Sequence, residues 1–500
     1  MAKFILALDE GTTGSTAMVV AQDLTFLAKA ANEFRQIFPK PGWVEHDPEE
    51  IWAATVMSAK QAMEKAGVDP ADCAAIAITN QRETSVIWDR DTGKPRFNAI
   101  VWQCRRTTAF CEKAKEEGLE QYFRHRTGLV LDPYFSGTKI RWMLDNVPGL
   151  RADAEAGKCA FGTIDTWLIH KLTAGVSHVT DPSNASRTLL FNIERLQFDD
   201  ALLGVLKIPR SLMPEVRASA GSFGVTRGLD FLPDGVPITG VCGDQQSALF
   251  GQTCFDAGQS KCTYGTGAFL LMNTGEKMVP STHGLLTSVG WTVNGKTNYV
   301  LEGSSFIAGA AVQWLRDSLG FIKTAPEVEE LAASVPDSAG VVFVPALAGL
   351  GAPYWDPEAR GGLFGLTRGA TKAHVARAVL EGIALQIAEL LDAMAKDLGR
   401  PLTELRVDGG ASANNLMMQF QADILDVPVL RPKNVETTAL GAAMLAGIGI
   451  GMWDMAHLRE MAAIDNRFGP QFVQNERDLY LNRYKSAVKC VCGHCCQTGN

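Results

Sequence analysis

Near its start the chain runs an apolar segment, Phe4 to Asp9, into the turn Gly11-Thr12-Thr13-Gly14-Ser15. Strand-like Thr16 to Ala21 and Leu27 to Phe34 follow, then a helix-like stretch from Pro48 to Ala66 and a strand, Ala74 to Thr79. About 250 residues later the order returns. Lys261 to Phe269 flank the turn Tyr264-Gly265-Thr266-Gly267, strand-like Leu285 to Val293 and Thr297 to Leu301 meet at Asn294-Gly295, and a helix-like Ser305 to Leu319 follows. Two such units predict a duplicated α/β architecture in which each half brings one phosphate-cradling hairpin to a shared cleft. Two unrelated mixed α/β domains with the same local order stay open as the alternative.

The bulk properties agree with two bodies. Five hundred residues exceed what one apolar core organises, so the expected division is residues 1–250, residues 251–489 and a Cys-rich tail, 490–500, expected to be flexible. A net charge of -8 argues against nucleic acid as a partner. The opening Met1 to Glu10 is too short in apolar residues for a secretory leader, and the weakly polar run Ala439 to Trp453 is too short for a membrane span, so the expected location is the cytoplasm. Of eleven cysteines, seven (Cys73, Cys104, Cys111, Cys159, Cys242, Cys254, Cys262) are read as reduced core thiols. Cys490, Cys492, Cys495 and Cys496, with His494 among them, have a spacing that could hold Zn²⁺, set against the plainer reading of a disordered terminus.

No Gly-x-x-x-x-Gly-Lys-Ser/Thr loop and no protein-kinase signature is present, so any phosphotransfer uses another solution. Asp9-Glu10-Gly11-Thr12-Thr13-Gly14-Ser15 offers one: a carboxylate at a strand end can hold Mg²⁺ through water while small residues let donors reach phosphate oxygens. Gly265-Thr266-Gly267 and the strand-to-turn segment Val407 to Asn415 add two more glycine-rich turns at strand ends. Three such turns fit a nucleotide clamped between two domains.

Polar side chains also gather where strands end. Asn80-Gln81-Arg82-Glu83-Thr84 follows one apolar strand, and Gly243-Asp244-Gln245-Gln246 follows another before a helix-like Ser247 to Phe250. Taken singly, these are as readily surface turns, and Trp102, Tyr134 and Phe269 are as readily core aromatics.

From Phe4 to about Lys489 the chain resembles the FGGY family of carbohydrate kinases, whose fold is a pair of RNase H-like (actin-like ATPase) α/β domains with an interdomain cleft. The wider family's signatures read as Tyr134 to Trp142 and Gly361 to Glu381. Narrower strings, Asn80 to Thr84, Phe161 to Leu168, Asn184 to Thr188 and Gly243 to Gln246, are those of members that phosphorylate glycerol. The resemblance implies ATP-dependent phosphorylation of glycerol to sn-glycerol 3-phosphate, with Mg²⁺, in a homo-oligomer (dimer or tetramer). It implies that Arg82, Glu83, Tyr134, Asp244 and Gln245 hydrogen-bond glycerol, that Trp102 and Phe269 cover its carbon edge, and that Asp244 is the catalytic base. Thr12, Thr13, Gly14, Thr266, Gly309, Gln313, Gly410 and Asn414 would touch the nucleotide, and Asp9 would hold Mg²⁺ through water. A triol has few apolar atoms, so selectivity has to come from a nearly complete set of polar partners. Since water competes for the phosphoryl group, the domains are expected to close over the ternary complex.

Departures from the family pattern carry their own expectations. Glu10, Gly14 and Thr16 stand where the family usually has Gln, Ser and Arg, and the missing cation should weaken ATP binding. Gly228 to Gly235 replaces a Gly-Gly-x-Gly-Gly-Thr-Arg loop that binds the inhibitor fructose 1,6-bisphosphate in some members, so inhibition is expected to be absent. The stretch also lacks histidine, so regulation by histidine phosphorylation is not expected. Phosphorylation of another small polyol or ketose, and a non-catalytic actin-like nucleotide switch, are the competing readings.

Overall fold

The structure is a computed structural model and describes residues 3–356, 358–461 and 464–492. Its two large sheets repeat one topology. In the first, Phe4–Glu10 pairs antiparallel with Gly14–Val20, which pairs with Phe26–Glu33; on its other side Phe4–Glu10 runs parallel to Cys73–Asn80, followed by parallel Pro237–Gly243 and antiparallel Ala220–Val225. In the second, Ser260–Tyr264 pairs antiparallel with Ala268–Gly275 and parallel with Leu405–Asp408, followed by parallel Val429–Pro432 and antiparallel Ile464–Phe468. One extra strand separates the two copies: Ala268–Gly275 pairs with Lys296–Ser305, and Leu286–Val293 lies beyond it. The expected duplication is therefore one of sheet topology as well as of local order.

Helices follow from caps and apolar periodicity. Pro48–Ala66 starts where the Asp47 carboxylate accepts Glu49 N–H and stops at Gly67 with φ +62°, a left-handed position that glycine takes without a Cβ penalty. Its buried face (Ile51, Ala54, Ala59, Ala62) covers the first sheet. Lys372–Leu398 covers the second in the same manner, through Val379, Ile383, Ile387 and Leu390.

Two further helices join the halves. Asp244–Gly251 and Thr437–Gly449 cross with their backbones touching: a Cβ on Gly441 would sit 1.9 Å from Ser247 O, and one on Gly251 would sit 2.1 Å from Thr437 O. Around this crossing Ile5, Ala7 and Leu249 share a core with Leu271, Trp291, Val300 and Leu445, so apolar packing holds the base of the cleft.

Several expectations move. The helix read from Ser305 starts only at Gly309, because Ser304 and Ser305 complete the strand paired with Ala268 and Phe269. The helix read from Ser247 starts at Asp244. Cys490, placed by sequence in a flexible tail, lies in the helix Gln474–Val491 with Cys492 just past its end; His494, Cys495 and Cys496 lie outside the described residues. The seven scattered cysteines are free and buried, as read. No described helix is long and apolar enough to cross a membrane.

Candidate active site

Strand Cys73–Asn80 ends in a turn whose residues Gln81, Arg82, Glu83 and Thr84 are all buried rather than on the surface. Glu83 has φ +62°, which costs a side-chain-bearing residue roughly 1 kcal/mol and is held here by Ser136 Oγ donating to Glu83 O at 2.9 Å. The turn delivers Arg82 into a ring of acceptors. Its Nη1 donates to Glu302 Oε2 at 2.5 Å and to Gln246 Oε1 at 3.1 Å, and its Nη2 donates to Glu302 Oε1 at 3.0 Å and Tyr134 Oη at 3.4 Å. Its Nε lies 3.1 Å from Asp244 Oδ1.

Arg187 completes the network from the opposite side, with Nε donating to Glu83 Oε1 at 2.6 Å and Nη2 to Glu302 Oε1 at 3.0 Å. Burial alone would push the Glu302 carboxyl up, but Arg187 and Arg82 outweigh it and hold it near 2. For Glu83 burial wins, and its carboxyl is raised despite Arg187 and Arg82.

An aromatic wall stands beside this polar set. Trp102 meets Tyr134 edge-on at 5.5 Å between centroids and Phe269 at 6.5 Å, and all three remain partly accessible. Trp102 Nε1 donates to Thr12 Oγ1 at 2.9 Å, which ties the aromatic wall to the first glycine-threonine turn. Asp244 and Gln245 open the helix of the cleft base; Gln245 Nε2 points to Asp244 Oδ2 at 3.4 Å.

The second and third turns lie side by side. Thr263 and Asp408 are paired across parallel strands, and a Cβ on Gly409 would come within 2.6 Å of Tyr264 O. Gly309 N and Ala310 N donate to Gly265 O and Thr266 O, so the helix Gly309–Asp317 starts on the second turn, with Gln313 exposed one turn along. Gly410 has open space where a Cβ would stand, whereas the Asn414 side chain caps the helix Asn415–Leu425 through Met417 N–H. Thr13 is exposed at the tip of the first turn. Gly14 is packed instead: a Cβ there would meet Asn32 O at 2.7 Å, so the serine usual at this position would need the neighbouring strand to move.

Asp9, at the end of the first strand, is pushed up to about 8 by burial first and then by the charges of Asp244, Glu10 and Glu436. Carboxylates gathered at one cleft, with one of them held above neutrality by burial first and by its acidic neighbours second, suit a divalent cation that would lower the cost of ionising them. Glu10 turns the other way, into the protein, where Ser15 Oγ and Thr55 Oγ1 each donate to it at 2.6 Å; burial pushes it up to about 7.

The structure thus gathers Arg82, Glu83, Trp102, Tyr134, Asp244, Gln245 and Phe269 with Asp9 and Thr12, and sets the turns of Thr266 and Gly410 beside each other, with the helix start at Gly309 on the first of them. Glu302 and Lys261 were missed by sequence reasoning, and Arg187 and Gln246 stood in recognised strings without a role. The signal for the first two was weak but present: a lone acid within Val300-Leu301-Glu302-Gly303 and a lone base in Ser260–Tyr264, each on a strand otherwise built for burial.

Residues 4–251 match the FGGY family of carbohydrate kinases, N-terminal domain, and residues 260–450 match its C-terminal domain. The chain is 56% identical over 491 residues to the glycerol kinase of Myxococcus xanthus, covering 98% of this chain and 99% of that one. It is 56% identical over 487 residues to glycerol kinase 2 of Thermotoga maritima, covering 97% and 98%. Among solved structures it is similar to Plasmodium falciparum glycerol kinase with ADP, at a TM-score of 0.93 and 37% identity over 98% of both chains. The xylulose kinase of Lactobacillus acidophilus shares the fold, with a TM-score of 0.87 over 97% of both chains at 23% identity.

Proposed function

The chain belongs to the FGGY family of carbohydrate kinases, and from that premise we propose that it transfers the γ-phosphoryl group of ATP to glycerol, giving sn-glycerol 3-phosphate. The observation that carries this reading is the setting of Asp244: its carboxylate lies between Arg82 and Gln245 at the cleft base, beside an aromatic wall. That set of donors and acceptors suits a small, fully hydroxylated substrate. A nucleotide switch would have no use for it.

In this reading Arg82, Glu83, Tyr134 and Gln245 pair with the glycerol hydroxyls, and Trp102 and Phe269 cover the carbon edge. Asp244 orients the terminal hydroxyl. A carboxylate is too weak a base to deprotonate an alcohol in advance, but in a loose phosphoryl-transfer transition state it need only align the nucleophile and take the proton late. Thr12, Thr13, Thr266, Gly309, Gln313, Gly410 and Asn414 face the nucleotide. Asp9 would hold Mg²⁺ through water, and that ion, when bound, supplies neutralisation of charge on phosphate oxygens. Closure of the two halves keeps water from competing.

The test is ADP release from purified protein with Mg-ATP and glycerol, xylulose, erythritol or no acceptor, for the wild type and Asp244→Asn. Turnover that requires glycerol and drops at least a thousandfold in the variant supports the reading. Turnover only with another acceptor, or equal turnover without any, overturns it.

A further inference from the structure

Lys261 sits on the strand Ser260–Tyr264 of the second sheet, fully buried, with its side chain on the same face as Thr263. A buried ammonium ordinarily sits against a carboxylate. Here two of its three donors go to neutral oxygens: Nζ donates to Gln245 Oε1 at 2.5 Å and to Thr263 Oγ1 at 2.7 Å. Burial lowers the Lys261 ammonium from its ordinary value, while the Asp408 and Asp244 charges work to keep it protonated.

The bond to Gln245 does something a carboxylate could not. An ammonium only donates, so the amide must turn its oxygen to Lys261, and its NH₂ is then forced to the other side. On that side stands Asp244, whose Oδ2 is 3.4 Å from Gln245 Nε2. Arg82 Nε meets the other oxygen, Oδ1, at 3.1 Å. Without the lysine only the long 3.4 Å contact to Asp244 would orient the amide, and its oxygen would be left without the donor that holds it.

We propose that Lys261 is a positioning residue for the polyol site: from the second sheet it fixes the Gln245 amide so that its NH₂ faces Asp244, the side on which the substrate would bind. This rests on the reading of Asp244 and Gln245 given above. It also makes the polyol site depend on a side chain from the half of the protein that carries the second and third turns.

The experiment measures kcat and the KM values for glycerol and ATP in Lys261→Met, Lys261→Arg, Gln245→Leu and the double variant Lys261→Met/Gln245→Leu. Lys261→Met is expected to raise glycerol KM and lower kcat, each about tenfold, with ATP KM within twofold of wild type. Lys261→Arg, which keeps an obligate donor, should recover most of the loss. The double variant should be no worse than Gln245→Leu, because with the amide gone the lysine has nothing to orient. Should Lys261→Met fail to melt cooperatively, Thr263→Val, which removes the lysine's second acceptor, must move glycerol KM in the same direction and lose its effect in a Gln245→Leu background. Multiplicative losses in the double variant, a change confined to ATP KM, or unchanged glycerol parameters would each overturn the proposal. A wild type that does not turn over glycerol would instead remove the functional reading beneath it.

Discussion

Glu302 accepts from both terminal nitrogens of Arg82, Nη1 at 2.5 Å and Nη2 at 3.0 Å, although the two residues lie 220 positions apart, Arg82 in the turn after a strand of the first sheet and Glu302 on a strand of the second. A bidentate pair of this kind fixes the plane of the guanidinium as well as its place, and so fixes the direction in which Nε meets Asp244. Both side chains are only 2% exposed, so neither partner can fall back on water.

Glu302→Gln should therefore leave Arg82 and Arg187 under-compensated. Breaking a buried pair by removing one charge costs about 3 to 5 kcal/mol. The expected result is a lower urea midpoint and a glycerol KM raised at least tenfold. A variant with wild-type stability and wild-type glycerol KM would show that the network neither supports the fold nor positions Arg82.

Glu10→Gln tests the buried acid that stands where the family usually has glutamine. The folded-state value of about 7 lies above the ordinary 4.5, so its contribution to stability is complete below 4.5 and is lost as pH rises through 7. At 1.36 kcal/mol per unit this amounts to about 3 kcal/mol across that window. Urea unfolding at pH 5 and pH 8 should show a smaller difference for the variant than for wild type. Equal differences would mean that Glu10 is ionised throughout.

Thr16→Arg tests the missing cation. Thr16 is the cross-strand partner of Asp9, so an arginine there shares a face with the carboxylate that burial and Asp244 push up to about 8. The variant should lower the Asp9 value and bring a guanidinium to the phosphate side of the cleft. ATP KM is expected to fall about fivefold in initial-rate measurements; an unchanged or higher value would place Thr16 outside the nucleotide's reach.

Fructose 1,6-bisphosphate should not inhibit. The segment from Gly228 to Gly235 is pinned to the helix Pro48–Ala66: Lys60 Nζ donates to Asp230 Oδ2 at 2.6 Å, and buried Phe231 lies 6.5 Å from Trp52. Gly228 N donates to Asp234 Oδ1 at 2.7 Å, so a backbone donor that could meet an anion is already engaged by an acid. Activity at saturating substrates should be unchanged by about 5 mM bisphosphate, a concentration at which even a weak site fills. A loss of more than half the activity would show a site that this segment does not block.

Much of the architecture was legible because its causes are local. Asp47 and Pro48 start a helix and Gly67 ends it whatever lies elsewhere, and Asn294-Gly295 turns a hairpin by its own backbone preferences. The residues proposed for the polyol were legible as short strings resembling those of the family, since Arg82 and Glu83 share one turn and Asp244 and Gln245 share one helix start. Where the helix was read from Ser305, pairing with Ala268 carries the strand through Ser305 and the helix begins only at Gly309, a cross-strand effect no window along the chain contains.

By itself the sequence determined the duplicated order of elements and the three glycine-rich turns, because periodicity, caps and turn chemistry act over a few residues; the candidate cleft residues were reached only through the resemblance to the family. Only the tertiary structure decided what holds those residues in place. Glu302 reaches Arg82 and Arg187, Lys261 reaches Gln245, and Gly441 meets Ser247 across distances in sequence that no local rule spans. Burial is the physical reason: a charge taken out of water must find its partner in space, and which partner that is depends on how the two sheets come together.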